Sequence, residues 1–225
     1  MPSTTTTTTV LDTGEMPTVH TFFRRELRLA GAAVRRVPVG DVHRARVVAD
    51  HLEYVGRALH HHHTSEDELV WPLLLERVPQ ELAPIVELMQ SQHERVDALL
   101  HEADAAAARW LTAAGGAERD HLADVHDTLS ATLADHLDAE EQRLLPIAAR
   151  CLSQSEWDAV GHRARAGTRR GEQLLTFGMI QHDGDPEIVA RMLSGAPAPV
   201  RRVFPALARR AFRRRALLVH GTATP

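Results

Sequence analysis

From about residue 17 to residue 151, apolar positions recur three and four apart, and no stretch alternates apolar with polar residues as a half-buried strand would. Ala, Leu, Arg and Glu, all good helix formers, dominate these stretches. The pattern predicts long amphipathic helices cut by proline and glycine. The first starts near Pro17, a favoured first-turn residue, and stops before Pro38. The second follows Asp41, a natural N-cap, and runs to about Arg77 before Pro79. The third spans roughly Glu81 to Ala113 and is closed by Gly115-Gly116; the fourth runs from about Ala117 to Cys151. Four such helices joined by short turns predict an all-α fold, an up-down-up-down four-helix bundle.

The flanks read differently. Residues 1–15 contain a threonine run with little to bury and are expected to be disordered. After Cys151, Ser153 and Glu156 fit a capping box for a helix to about Arg170. A loop with Gly171, Gly178 and His182–Pro186 follows, then a short helix after Asp185, then an arginine-rich last helix interrupted or restarted at Pro205. The expected organisation is a disordered segment 1–15, a bundle 16–152 and a helical extension 153–225.

Laid on itself, the chain shows an internal repeat. The stretch His62 to Leu73 matches His136 to Ile147, each reading His, three residues, Glu, an acid in the next position, and a proline six residues after the Glu. A further histidine precedes each copy at nearly the same distance, His20 and His93, on the odd-numbered helix of its hairpin. The bundle is thus two copies of one helical hairpin. Residues i and i+4 share a helix face, so His62/Glu66 and His136/Glu140 can each grip an ion, and a histidine from the partner helix completes a two-His, one-carboxylate set. Two such sets facing each other make a dinuclear site, and bridging by Glu66 and Glu140 would hold two ions about 3.5–4 Å apart. Within His60–His63, only His62 has a glutamate four residues on, so the other three are set aside.

These two segments resemble the halves of a hemerythrin-like, HHE cation-binding domain over about residues 16–152. The resemblance implies a non-haem site of two iron ions, oxo- or hydroxo-bridged, held by His20, His62, Glu66, His93, His136 and Glu140. It also implies a small ligand: hydrogen peroxide, dioxygen or nitric oxide. The sequence departs from the oxygen-carrier pattern twice. Asp97 stands where carriers have a second third-helix histidine, and the carrier spacing would select Glu141 where the repeat selects Glu140. Asp97 and Glu141 are therefore additional-ligand or supporting candidates. The arrangement is similar to that of catalase-like hemerythrin proteins, which implies peroxide disproportionation between diferrous and diferric states. The alternatives are a dioxygen or nitric oxide carrier or sensor without turnover, and iron storage or sensing.

Composition narrows this further. All 26 basic residues are arginine, so lysine Schiff-base and lysine-dependent phosphate-loop chemistry are excluded. One cysteine, Cys151, argues against a disulfide framework or zinc-thiolate site and favours a reduced, cytoplasmic setting. Tyr54, the single tyrosine, precedes His62 by two turns and is a candidate ligand, hydrogen-bond donor or redox relay, against a plain core role. Charge is uneven: residues 1–152 carry a net −10 and residues 153–225 a net +6. The basic tail could meet anionic lipid, nucleic acid or an acidic partner, but the simpler expectation is that its apolar face packs on the acidic bundle. Hence no nucleic-acid partner is expected, membrane association is disfavoured, and the chain is expected to be a monomer or homodimer.

Overall fold

A computed structural model describes residues 11–169 and 171–225, the side chains of Pro79 and Glu81 apart, and over that range it is helical without a strand. The long helices are α1 (Glu15–Arg35), α2 (Val42–Leu69), α4 (Pro79–Ala113) and α5 (Gly116–Ala139), with the short α3 (Trp71–Arg77) between α2 and α4. α1 packs on α2 and α5, and α4 packs on α2 and α5, which closes the up-down-up-down bundle. Local chemistry sets the ends. Asp41 accepts the Arg44 N–H at the start of α2, and Ala114 at φ 46° closes α4 in the left-handed conformation.

Both proline-bearing repeats distort their helices, each in its own way. The second helix does not run on to Arg77: it breaks at Val70, and α3 begins with Pro72 in its first turn. In the fourth, Glu140–Leu144 form one π-helical turn before α6 (Leu145–Cys151), which carries Pro146. A proline has no N–H to return to the carbonyl four residues back, and at Pro72 and Pro146 the helix breaks or widens just before it. π-Turns of this kind occur often at functional sites.

The extension comprises α7 (Gln154–Ala166), opened by the Ser153/Glu156 capping box, then α8 (Gln173–Asp183), α9 (Pro186–Met192) and α10 (Ala198–His220). Two expectations are corrected. The segment around Gly178, expected as a loop, is the helix α8. Its glycine lets α8 lie directly on α10, since a Cβ there would sit 2.2 Å from the Ala208 carbonyl oxygen. Nor does Pro205 interrupt α10: it falls in the second turn, and the buried Ala208, Phe212, Ala216 and Val219 downstream hold the helix as one piece.

Two apolar layers bracket the polar interior of the bundle. Toward the proline-bearing end, Met16, Val70, Trp71, Met89 and Leu144 pack together. In the middle of the bundle Phe22, Phe23, Leu59, Val96 and Leu133 form a second layer, which also takes in Met179, Phe212 and Ala216 from the extension. The opposite side of α10 exposes Arg209, Arg210, Arg213 and Arg214. Of the segment expected to be disordered, residues 1–10 lie outside the described residues. From Leu11 the chain is packed: Leu11 is buried with its N–H on the Ala149 carbonyl, and Asp12 pairs with Arg191 at 2.7 Å.

His126 on α5 is buried with no partner for its Nδ1, and burial pushes its pKa down to about 4. The unfolded chain therefore takes up this proton first, and the corresponding stability is present above pH 6.5 and lost as pH falls from 6.5 toward 4. The shift amounts to roughly 3 kcal/mol. His126→Leu should flatten the acid limb of urea-unfolding stability by about that amount between pH 7 and 4. An unchanged limb would disprove it.

Candidate metal centre

The four helices carry their histidines to one level between the two apolar layers. His20 comes from α1, His62 from α2, His93 from α4 and His136 from α5, and all four are buried. They meet as two pairs. The Nε2 atoms of His20 and His62 lie 3.2 Å apart, as do those of His93 and His136. Glu66 spans the pairs, with Oε1 3.3 Å from His62 Nε2 and Oε2 3.7 Å from His93 Nε2. Glu140 spans them in return, its Oε2 3.5 Å from His20 Nε2 and 3.8 Å from His136 Nε2. Each glutamate thus reaches a histidine of its own helix and one of the other hairpin.

The acid after each glutamate completes the cross-connection. Glu141 accepts the His20 Nδ1–H at 2.8 Å and is itself held by Arg24 at 3.1 Å. Asp67 accepts the His93 Nδ1–H at 2.8 Å and the Trp71 indole N–H at 2.6 Å. Burial alone would push both carboxyls up, but the histidine bonds, with Arg24 and Trp71, hold them below their ordinary values. His136 Nδ1 donates to the Gln92 amide oxygen at 3.3 Å. With their Nδ1 atoms donating outward, His20, His93 and His136 point bare Nε2 lone pairs inward. Lone pairs of His93 and His136 facing at 3.2 Å repel unless an electrophile sits between them.

The carboxylates tell the same story. All four oxygens of Glu66 and Glu140 are buried without a hydrogen-bond donor. Burial pushes both groups up, Glu66 further because Glu140 lies beside it. Burial and the neighbouring imidazoles push His62 far down, and His136 likewise. Without a cation the centre buries six polar side chains, two of them carboxyls whose charged form burial disfavours, an expensive arrangement. Divalent cations would meet every one of these groups at once. One ligand atom each from His20, His62, Glu66 and Glu140 lie within 4.8 Å of one another, as do those of His63, His93 and His136.

The profile of the hemerythrin HHE cation-binding domain matches residues 12–149. The chain belongs to this family. HHE domains bind metal cations, and the six side chains that the repeat singled out are the ones that converge here. No functionally curated protein and no solved structure matches the chain. Among the described residues, no helix is long and apolar enough to cross a membrane.

The remaining sequence candidates fall elsewhere. Asp97 is not brought in: α4 turns its inner stripe from His93 to the buried Val96, which leaves Asp97 toward the surface, hydrogen-bonded with the exposed His60. The Tyr54 hydroxyl bonds to Thr176 of α8 at 2.6 Å, and burial pushes its pKa up, so the phenol keeps its proton. Glu141 sits behind His20 rather than among the inward-facing carboxylates. Two residues escape the sequence reasoning. Asp67 was signalled by the acid that follows the glutamate in both repeats. His63, set aside on spacing, is buried against His93 and His136.

A second cluster of the same residue types lies in the bundle where α10 packs. Glu26 Oε2 is 2.9 Å from His51 Nε2 and 3.3 Å from His220 Nε2, while Oε1 takes Arg25 at 2.8 Å. These Nδ1 atoms have no acceptor, so each ring's proton is best placed on Nε2, donating to Glu26. The carboxylate is satisfied by protons and by an arginine, and the cluster serves as a hydrogen-bonded joint rather than a cation site.

Proposed function

We propose that this chain is a non-haem di-iron protein that decomposes hydrogen peroxide, with His20, His62, Glu66, His93, His136 and Glu140 as the ligands. One observation carries the reading: the two histidine pairs share both carboxylates evenly, and Asp97 stands outside, where a carrier would have its extra histidine. Six protein side chains spread over two ions leave positions free on both, which suits turnover better than one-sided storage of a gas. Bound iron would supply the electron transfers by which two hydrogen peroxide molecules become one dioxygen and two waters.

The chain's own groups set the conditions. Glu141 and Asp67 fix the tautomer and tilt of His20 and His93. Glu66 and Glu140 bring two buried carboxylates to the four imidazoles, so the site favours cations over protons once these are available. Phe23 packs on His62 at 5.3 Å and Trp71 on His93 at 5.8 Å, walling the centre from bulk water.

Iron-loaded protein should evolve dioxygen from peroxide, measured with an oxygen electrode, at a ratio of one dioxygen per two peroxides consumed. Asp67→Asn should lower that rate roughly 10–100-fold, the usual effect of losing a residue that orients a ligand. Reversible oxygenation without peroxide loss would replace this reading by a carrier, and loading far beyond two ions per chain by iron storage.

A further inference from the structure

The two-fold rule of the centre is broken at one position. The residue after the first-repeat histidine is His63; its counterpart after His136 is Leu137, which packs into the apolar layer. His63 is 2% exposed. Its ring lies flat on His93, with centroids 4.0 Å apart and planes at 7°, and meets His136 edge-on at 4.9 Å and 80°. One of its nitrogens is within 4.8 Å of nitrogens of both His93 and His136. Neither ring nitrogen has a hydrogen-bond partner.

A neutral imidazole carries one N–H and one lone pair in either tautomer, so His63 always presents a buried donor with nothing to receive it. That arrangement costs free energy unless some group accepts the proton. The stacking geometry excludes the simplest answer. An ion held in the plane of the His93 ring would lie well off the nearly parallel plane of His63, where no lone pair points. His63 is therefore placed beside the His93/His136 pair without sharing its ion, and its N–H has no acceptor among the described residues. The His20/His62 pair has no imidazole stacked on it: its rings meet each other and Phe23, and His63 reaches His62 only tilted by 40° at 5.7 Å.

Resting on the di-iron reading above, we propose that the centre is functionally one-sided: the small ligand binds at the His93/His136 half, and His63 is its hydrogen-bond donor. The ligand class is a small molecule or anion with an oxygen or nitrogen acceptor, such as peroxide or azide. Leu137 makes the opposite half indifferent to such a ligand, so the near-symmetric cage becomes a site with a front and a back.

Azide titrated into iron-loaded protein and followed optically tests this, with iron content per chain measured in parallel. His63→Leu, which copies Leu137, should keep two irons while the azide dissociation constant rises about tenfold, equivalent to about 1.4 kcal/mol. His63→Gln, which retains an N–H donor, should recover part of that affinity. Unchanged azide affinity in His63→Leu would overturn the proposal, as would a wild type that binds no azide. A fall to one iron would overturn it too, by making His63 a ligand. Peroxide turnover is scored separately. Azide results as expected with no dioxygen evolution would leave the one-sided site standing and remove only the catalase-like reading.

Discussion

Glu66→Gln and Glu140→Gln should each abolish stable loading of two metal ions while leaving the metal-free protein at least as stable as the wild type. The opposite signs have one cause. In the metal-free fold burial raises the pKa of both carboxyls, so each contributes stability at acid pH that is lost as pH rises through its folded value. At neutral pH the fold therefore bears a cost, which an amide of the same shape does not incur. With metal the carboxylate charge becomes indispensable. Loss of a mere supporting residue weakens metal binding by 10–100-fold, so a glutamate that spans both histidine pairs should cost at least a hundredfold, about 2.7 kcal/mol. Thermal unfolding with and without iron(II) separates the two effects. Wild type should gain on the order of 4 kcal/mol at metal concentrations a thousand times the dissociation constant. Either variant should lose most of that gain without any drop in the metal-free curve. A variant that keeps two tightly held ions would sink the assignment of these glutamates.

The second large effect belongs to the joint around Glu26. Glu26→Leu removes the acceptor of three neighbours at once: Arg25 at 2.8 Å, His51 at 2.9 Å and His220 at 3.3 Å. Burial works against the charged carboxylate, but His220, His51 and Arg25 together hold it well below the ordinary carboxylate range. Removing one member of a buried charged cluster strands the rest, and losses of about 3–5 kcal/mol are usual. Arg25 keeps Asp183, the Met179 carbonyl and the face of the Phe212 ring. For a chain of this size the melting temperature should drop on the order of 10 °C. His220→Ala should cost only about 1–2 kcal/mol, because Glu26 still holds His51 and Arg25. Metal content should match that of the wild type in both variants, since none of these residues faces the histidine pairs. A Glu26→Leu protein as stable as wild type would refute the joint.

How much of this is legible in the sequence depends on the range of the interactions. Helix periodicity is local, so the four bundle helices stood out, and their outer ends shifted by no more than two residues. The repeat, being a matter of spacing, singled out His20, His62, Glu66, His93, His136 and Glu140. Partners brought together only by packing were invisible. Asp67 and Glu141 look alike in the repeat, yet what each does is set by a histidine on the other hairpin. His63 looked redundant because what marks it out is that it lies flat on His93, thirty positions later in the chain. Gly178 read as a loop residue because its reason for being glycine is the Ala208 carbonyl on another helix. Glu26 and His220 stand 194 positions apart, and no spacing rule spans that distance.

That last separation bears on how such a protein can be divided. The family match stops at residue 149, but the joint on Glu26 closes only when His220 arrives from the far end of α10. Phe22, Phe23 and Leu27 likewise share their apolar layer with Met179 and Phe212. The portion matched by the family and the portion that shares one interior have different borders here. A boundary drawn at the end of the match would cut through a finished interior and leave a buried carboxylate facing water.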